Sequence, residues 1–320
     1  MSHHFSSDFN QKLKKHLSKI EVIEKLKLDI NTIHLSPGLL KADLLPPDVT
    51  YKSFVADSRG CHSAFLLFSN PNGKMQVAHN VQKASEARSV LGNRLNWVIE
   101  PPIITGFFDG ISWALFHMNY PLSHGRIKWV VQRTLLAPAI LKWIAGSLEK
   151  SCQKLPAPKI AAFYNEPVKQ MVNDDDFSPD IRKCASDTLD SLESGRWHPL
   201  FCLSHNDLWK GNIMVPSGSK NTDKGKFYFS KFRVIDWAGS AVEGIPFFDL
   251  MKFCQSFQVQ RYYTRKAILT HCRILDCSIK EARFYLIAAL ALLGKNLDQF
   301  PRSAYIHLSH SLFHYMSTFV

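Results

Sequence analysis

The sequence predicts a two-lobed α+β fold, with a small β-rich N-terminal lobe over residues 1–119 and a larger, mainly helical C-terminal lobe over residues 120–320. Between residues 51 and 120, short apolar runs alternate with turn sequences such as Asn70 to Gly73, which is typical of an antiparallel sheet. After Pro121 the apolar residues recur at helical spacing. With 46% hydrophobic residues, a chain of 320 residues can bury the core that such a fold needs.

The N-terminal lobe is predicted to consist of strands and one internal helix. Ser85 to Leu95 predicts the helix, and Asp109-Gly110 is a favoured turn between two paired strands. Phe116 to Tyr120 is the expected hinge to the larger lobe. The predicted strands lie within Lys52 to Val55, Ser63 to Ser69, Met75 to Val81 and Gly106 to Met118.

A basic amphipathic helix is predicted to lead into this lobe. Leu13, Leu17, Ile20 and Ile23 recur at helical spacing, and Ser7 is a candidate N-cap. We expect the lysines of this helix to form a solvated face. Contact with an anionic membrane surface is the alternative, because basic amphipathic helices do lie on such surfaces.

Composition favours an ordinary globular protein of the cytoplasm. The net charge of +12 comes from mostly dispersed basic residues, so we expect no nucleic-acid partner, although a basic surface attracts phosphate-bearing substrates. No apolar run approaches the roughly 20 residues that span a bilayer, and the start lacks the apolar core of a signal peptide. The seven scattered cysteines, an odd number, are expected to be reduced core thiols.

The C-terminal lobe is predicted to be helical around one catalytic segment. Residues 127–150 and 179–193 predict helices, the second of which ends at Gly195, and helices return after Phe247. The polar stretch 217–226 predicts a hairpin tip or a flexible insert.

Two short motifs carry the chemistry. The first is His205-Asn206-Asp207-Leu208-Trp209-Lys210-Gly211-Asn212, and the second is Val234-Ile235-Asp236-Trp237 at the end of an apolar run. Transfer of a γ-phosphoryl group from ATP to a hydroxyl needs one carboxylate at the hydroxyl proton and oxygen ligands for Mg²⁺. Asp207 suits the first role, and Asn212 and Asp236 suit the second. His205 is expected to hold the loop by hydrogen bonds, because the motif already supplies the acid.

These motifs resemble those of the aminoglycoside phosphotransferase and choline kinase-like superfamily, whose members have a bilobal protein kinase-like fold. The resemblance implies that Asp207 is the catalytic base and that Asn212 and Asp236 bind Mg²⁺. It also implies that Asp249, in the segment Pro246 to Leu250, braces the catalytic loop from below. Asn206 stands where the family usually has Gly, a mild change because Asn tolerates left-handed backbone angles.

The predicted nucleotide site departs from the kinase pattern. The candidate phosphate loop contains Ser58, Gly60 and Ser63, but Gly60 is its only glycine. In the predicted strand at 75–81, His79 or Asn80 stands where a kinase has its phosphate-binding lysine. The remaining candidates for nucleotide binding are Glu86 on the following helix, whose customary partner would be that lysine, and Met118 in the hinge.

The sequence therefore supports two hypotheses of different classes. The first is an ATP- and Mg²⁺-dependent phosphotransferase that acts on a hydroxyl of a sugar, an amino sugar or an amino alcohol. The second is a kinase-fold pseudoenzyme that binds a ligand or a partner without turnover. A protein kinase is less favoured, because Asp236-Trp237-Ala238 replaces the Asp-Phe-Gly signature.

Two features of the sequence bear on the identity of the acceptor. The acidic run Asn173-Asp174-Asp175-Asp176 could receive a cationic amine, but an exposed charge run is more often a solvated loop. The basic composition favours a neutral or anionic acceptor slightly.

Overall fold

The structure is a computed structural model that describes residues 7–35, 49–216, 231–295, 297 and 300–319. It divides into two compact units. Unit 1 falls within Met1–Glu86, Trp97–Pro121 and Met214–Ala238, and unit 2 falls within Ala87–Asn96, Leu122–Ile213 and Gly239–Val320. The polar stretch predicted at 217–226 lies outside the described residues.

The described residues form the strands and helices of an α+β protein. The strands are β1 (Leu28–Asp29), β2 (Tyr51–Asp57), β3 (His62–Phe68), β4 (Ile104–Phe108), β5 (Ile111–His117), β6 (Asn119–Pro121), β7 (Cys202–Ser204), β8 (Ile213–Pro216), β9 (Arg233–Val234) and β10 (Ala241–Gly244). The helices are α1 (Ser7–Leu17), α2 (Glu21–Lys25), α3 (Gln76–Leu95), α4 (Arg126–Ser151), α5 (Ala157–Val172), α6 (Pro179–Glu193), α7 (Phe248–Ser256), α8 (Arg261–Ile274), α9 (Ile279–Lys295) and α10 (Arg302–Ser317).

A five-stranded antiparallel sheet with the order β1-β2-β3-β5-β4 forms the centre of unit 1. Alternate residues of β3 are buried, which is the pattern of a strand with one face on the core. The β4–β5 turn has positive φ at Asp109 and Gly110, as the sequence predicts for this hairpin. The strands predicted at 52–55, 63–69 and 106–118 are confirmed.

The strand predicted at 75–81 is wrong, because these residues begin helix α3. The side-chain hydroxyls of Ser69 and Ser112 lie 2.8 Å apart and accept hydrogen bonds from the backbone N–H groups of Val77 and Ala78. They satisfy donors that the first turn of a helix leaves unpaired. Ser112 is distant in sequence, so local pattern alone could not reveal this cap. The helix predicted at 85–95 is the second half of α3.

The N-terminal segment forms two helices instead of one. α1 ends at Leu17, so Ile20 and Ile23 lie beyond it, and Ile23 belongs to the short helix α2. Leu13 and Leu17 are fully or almost fully buried in the core of unit 1. The apolar face of α1 therefore packs on its own unit.

Unit 2 is built mainly of helices, and those predicted at 127–150, at 179–193 and after Phe247 are confirmed. α5, α6 and α9 pack together around buried aromatic rings, with Trp197 in edge contact with both Tyr164 and Tyr285. The Tyr285 hydroxyl accepts a hydrogen bond from the backbone of Leu200 at 2.8 Å, which ties α9 to the segment that enters β7. Across the described residues, no helix combines the length and apolar character needed to cross a bilayer.

The buried ring of His271, in unit 2, is expected to make the free energy of unfolding depend on pH. Burial lowers the pKa of this ring from 6.5 to about 4, and its Nδ1 lies 3.0 Å from the backbone oxygen of Ala267. As pH falls, the unfolded chain takes up the proton near pH 6.5, but the folded protein does so only near pH 4. We expect the free energy of unfolding to fall by about 2 kcal/mol between about pH 7 and pH 5 through this group.

Urea unfolding at both pH values measures the effect. The His271→Gln variant should lose this part of the pH dependence, whereas His307→Gln, at an exposed site, should keep it. An unchanged pH dependence in His271→Gln would contradict the assignment.

Candidate active site

Asp207 lies in a loop between two elements of unit 2. The loop follows β7, whose three residues are all buried, and it ends in a 3₁₀ turn over Lys210–Asn212. β7 pairs with β10. A short buried strand therefore fixes the start of the loop, and Asn206 and Asp207 beyond it are partly exposed.

Asn206 gives the loop its sharp turn. Its φ of 63° is left-handed, a conformation that Asn tolerates better than most residues. Its side chain accepts a hydrogen bond from the Ser204 hydroxyl at 2.8 Å and donates one to the backbone oxygen of Gly239 at 2.8 Å. Asn therefore supplies two contacts that a Gly at this position could not make.

The carboxylate of Asp249 supports the loop from α7. Its Oδ2 accepts a hydrogen bond from the backbone N–H of His205 at 2.6 Å and lies 3.0 Å from the Ser204 hydroxyl oxygen, whose single proton it shares with Asn206 Oδ1. Asp249 stands in the first turn of α7, where the helix dipole favours a negative charge. The buried His205 ring accepts a hydrogen bond at Nδ1 from the backbone N–H of Asp207 at 3.2 Å. The backbone N–H groups of His205 and Asp207 are thus both held by side chains.

Two side chains hold the Asp207 carboxylate in place. Asn212 Nδ2 donates to its Oδ2 at 2.8 Å and to the backbone oxygen of the same residue at 2.9 Å. Lys252 Nζ donates to its Oδ1 at 2.5 Å. The Asp207 side chain is 45% exposed, whereas Lys252 is 19% exposed. The carboxylate is therefore held from the protein side and remains accessible to a substrate.

Sequence analysis missed Lys252. It lies on α7 one turn after Asp249, so both side chains face the same part of the molecule, and its ammonium lies 5.5 Å from the Phe248 ring centre. In the sequence, Lys252 follows Asp249 by three residues, the spacing of neighbours on one helix face. This spacing points to the site only in the structure, where α7 contacts the Asp207 loop.

Asn212 has the chemistry of a Mg²⁺ ligand. Only the orientation with Nδ2 towards Asp207 makes both of its contacts hydrogen bonds, because the Asp207 oxygens are acceptors. The amide oxygen of Asn212 is therefore the atom left for a cation, and Mg²⁺ prefers oxygen ligands. Asp236 belongs to unit 1, where it is exposed, has a φ of 65° and follows β9 by two residues.

The candidate phosphate loop is the β2–β3 turn, and Asp57 occupies its donors. The Asp57 carboxylate accepts hydrogen bonds from the backbone N–H groups of Arg59 and Cys61 and from the Ser63 hydroxyl. Hydrogen bonding from the Arg59 guanidinium lowers the pKa of Asp57 to about 2. The backbone N–H of Ser58 donates to the backbone oxygen of Lys27, and Gly60 has a positive φ. The donors of this turn are therefore bound by residues of unit 1.

The strand expected to carry a phosphate-binding lysine does not form. A kinase carries this lysine on the strand that follows the phosphate-loop hairpin, but here β3 is followed by helix α3, which contains both His79 and Asn80. His79 lies on α3, so the strand that suggested a role for it does not exist.

Other nucleotide-site candidates also lie in unit 1. On α3, Gln82 Nε2 donates a hydrogen bond to Glu86 Oε1 at 3.0 Å, which lowers the pKa of the Glu86 carboxyl. Lys83 Nζ lies 3.4 Å from Glu86 Oε2. Met118 is buried, and its backbone N–H donates to the Ser63 oxygen.

Two arginines pair with the three carboxylates of the acidic run in unit 2 and offset two of its three negative charges. Arg302, at the start of α10, lies 2.6 Å from Asp174 and 2.9 Å from Asp176, and Arg182 on α6 lies 2.6 Å from Asp175. These carboxylates link the segment to two helices. They are already paired with cations, so the run has little charge left to attract a cationic acceptor.

The brace from Asp249 can be tested by mutation. Asp249→Ala should lower the free energy of unfolding by roughly 1–3 kcal/mol, because it leaves the His205 N–H without a partner in a buried setting. Asp249→Asn is the matched control and should cost less, since its amide oxygen can still accept that bond. Chemical denaturation of the three proteins measures the difference, and equal stability of wild type and Asp249→Ala would contradict the brace.

Comparison with known proteins supports the fold. No known protein family and no curated protein matches the sequence. A thermostable mutant of the aminoglycoside phosphotransferase APH(4)-Ia, solved as a ternary complex with ADP and hygromycin B, matches the structure with a TM-score of 0.52 and 13% identity over 95% of this chain and 98% of that one. The apo form of a thermostable mutant of that enzyme gives a TM-score of 0.50 at 14% identity over 85% and 92%.

A choline/ethanolamine kinase family protein from Mesorhizobium loti gives a TM-score of 0.48 at 11% identity, over 97% of this chain and 94% of that one. At these identities the likeness concerns the fold and not the substrate. The chain has the α+β, bilobal protein kinase-like fold of the aminoglycoside phosphotransferases.

Proposed function

We propose that this protein is a small-molecule phosphotransferase that moves the γ-phosphoryl group of ATP to a hydroxyl group. The observation that carries the proposal is the Asp207 carboxylate, held between Asn212 and Lys252 on a rigid loop and open to solvent on its other side. A general base needs this combination of fixed orientation and access. The kinase-like fold supports the same reaction class.

In the proposed reaction, Asp207 orients the acceptor hydroxyl and accepts its proton. The hydroxyl oxygen forms a bond to the γ-phosphorus, the bond from that phosphorus to the β–γ bridging oxygen breaks, and ADP leaves with the electron pair. Asn212 fixes one carboxylate oxygen of Asp207, and Lys252 fixes the other. Positioning of this kind supplies much of the rate in phosphoryl transfer, because the protein contributes no covalent chemistry.

Mg²⁺ is the proposed cofactor, with Asn212 Oδ1 and Asp236 as its protein ligands. When bound, the ion would offset the charge of the phosphates. The Asn212 orientation supports the first ligand, and the sequence motif around Asp236 supports the second.

The proposed acceptor is a sugar, an amino sugar or an amino alcohol. A neutral or anionic hydroxyl compound fits best, because the carboxylates of the acidic run are paired with Arg182 and Arg302. The overall basic charge of the chain favours the same choice.

A pseudoenzyme is the second candidate function, and two observations favour it. The segment after β3 forms helix α3 instead of the predicted lysine-bearing strand, and the donors of the β2–β3 turn bind Asp57. Both features remove groups that would offset phosphate charge. The intact arrangement around Asp207 favours the active enzyme.

The activity is tested by measuring ADP release from ATP with a panel of sugars, amino alcohols and aminoglycosides. We expect wild-type turnover with at least one acceptor and its loss when Mg²⁺ is chelated. Asp207→Asn should reduce turnover by about 10²- to 10⁴-fold, the usual contribution of a positioned general base. Full activity in this variant would refute the role of Asp207.

Controls separate loss of chemistry from loss of fold. Asp180→Asn changes an exposed aspartate in the same unit and should leave turnover intact. Asp236→Ala should weaken nucleotide binding only when Mg²⁺ is present, and calorimetry with and without Mg²⁺ measures this. Binding of Mg-ATP without any turnover across the panel would support the pseudoenzyme.

Lys252 gives a further test of the same site. Lys252→Met leaves Asp207 Oδ1 without its cation, so we expect kcat to fall by up to roughly 100-fold, the cost of misplacing a reacting group. The KM for ATP should change little, because the contact is to Asp207. Lys252→Arg should recover part of the loss, which a merely structural role would not require. Unchanged kcat in Lys252→Met would remove this residue from the mechanism.

A further inference from the structure

Unit 2 carries an exposed apolar surface that its own packing does not use. We call it the α4/α8 face, defined by Ile127, Val130, Val131 and Leu135 on α4 and by Tyr262 and Leu269 on α8. Ile127 is 81% exposed and Tyr262 is 71% exposed, and the other four residues are between 41% and 45% exposed. On α4 these residues follow Ile127 by three, four and eight positions, so they form one stripe along the first half of the helix.

The opposite sides of both helices are packed, so the α4/α8 face is the outward side of a folded pair. Trp129 of α4 packs edge-on against Phe257, with their ring centres 4.9 Å apart. The Arg133 guanidinium donates a hydrogen bond to Gln258 Oε1 at 3.3 Å. α4 and α8 pack against each other. An apolar stripe on the outward side of well-packed helices marks an interaction surface.

The charged residues of the two helix segments that form this face are all basic. Arg126 and Lys128 accompany the stripe on α4, and Arg265 and Lys266 share the exposed side of α8 with Tyr262 and Leu269. Residues 126–148 and 261–274 contain no Asp or Glu. A partner for this face must therefore accept both apolar side chains and several positive charges.

We propose that the α4/α8 face binds the surface of an anionic lipid bilayer. Aliphatic side chains enter the boundary between headgroups and acyl chains, tyrosine suits the interface, and lysine and arginine attract anionic headgroups. A second copy of the chain would bring like charges together. Nucleic acid would match the charge but would leave the Ile, Val and Leu side chains without a function. The apolar face of α1 is buried, so this surface is distinct from the N-terminal helix.

Vesicle sedimentation of the full chain tests the proposal. The protein should sediment with vesicles of phosphatidylcholine and phosphatidylserine, and not with vesicles of phosphatidylcholine alone. Binding should weaken with added salt, because the screening length falls from about 10 Å at 0.1 M to about 3 Å at 1 M. No binding to the anionic vesicles, or equal binding to both kinds, would overturn the proposal.

Paired variants identify the surface. Ile127→Ser with Val131→Ser removes apolar area, and Arg265→Glu with Lys266→Glu reverses charge; each pair should weaken vesicle binding by at least roughly tenfold. The matched controls lie in unit 1. Phe107→Ser changes a ring that is 54% exposed, Lys52→Glu with Lys74→Glu reverses two exposed charges, and both controls should bind as wild type does.

Thermal unfolding establishes that each variant is folded, which is expected because every changed side chain is exposed. Equal losses in the variants and their controls would overturn the assignment of the surface. Two other results would also overturn it. One is a dimer, detected by sedimentation velocity, that Ile127→Ser with Val131→Ser dissociates. The other is binding to a DNA duplex, without vesicle binding, that Arg265→Glu with Lys266→Glu abolishes.

Discussion

The carboxylate of Asp249 fixes the backbone of the loop that carries Asp207. One oxygen accepts the His205 N–H and lies within hydrogen-bonding distance of the Ser204 hydroxyl, so a single side chain on α7 contacts the last residue of β7 and the first residue after it. A loop tip usually has few such restraints. Here the restraint comes from the first turn of a helix that is itself buried on one side. The position of α7 therefore decides where the Asp207 carboxylate lies.

α7 also supplies the charge that faces this carboxylate. Lys252 and Asp249 stand one turn apart, so the same helix braces the loop backbone and neutralises the loop's acid. Because Asp207 is 45% exposed, the ion pair adds little to the free energy of unfolding. The ion pair contributes to orientation instead, because the Lys252 ammonium and the Asn212 amide each bind one oxygen of the Asp207 carboxylate.

The two units differ in how far they preserve the kinase pattern. In unit 2, every polar contact around Asp207 is made between residues that the motifs or α7 provide. In unit 1, the segment after β3 begins helix α3 instead of a lysine-bearing strand, and the β2–β3 turn satisfies its donors through Asp57. Glu86 pairs with Lys83 from its own helix instead of with a lysine from the sheet. The proposed enzyme must therefore offset the phosphate charge without the usual lysine of the small lobe.

Patterns that depend on near neighbours were predicted correctly. The strand pair around Asp109-Gly110 and the helix that ends before Gly195 follow from local backbone preferences, which need no knowledge of the fold. The segment at 75–81 failed for the opposite reason. Its short apolar pattern fits a strand as well as a helix, and the hydroxyls of Ser69 and Ser112 decide for the helix by capping it.

By itself, the sequence determined the kinds of residue that stand at the candidate site: the acid and the amide of the first motif, Asp207 and Asn212, and the acid Asp249 of the segment Pro246 to Leu250. Tertiary structure alone decided that Lys252 completes this group and that the acidic run is paired with arginines. The physical reason is distance along the chain. Motif spacing reports residues that one turn of backbone brings together, whereas an ion pair across 45 residues exists only once α7 has packed beneath the loop.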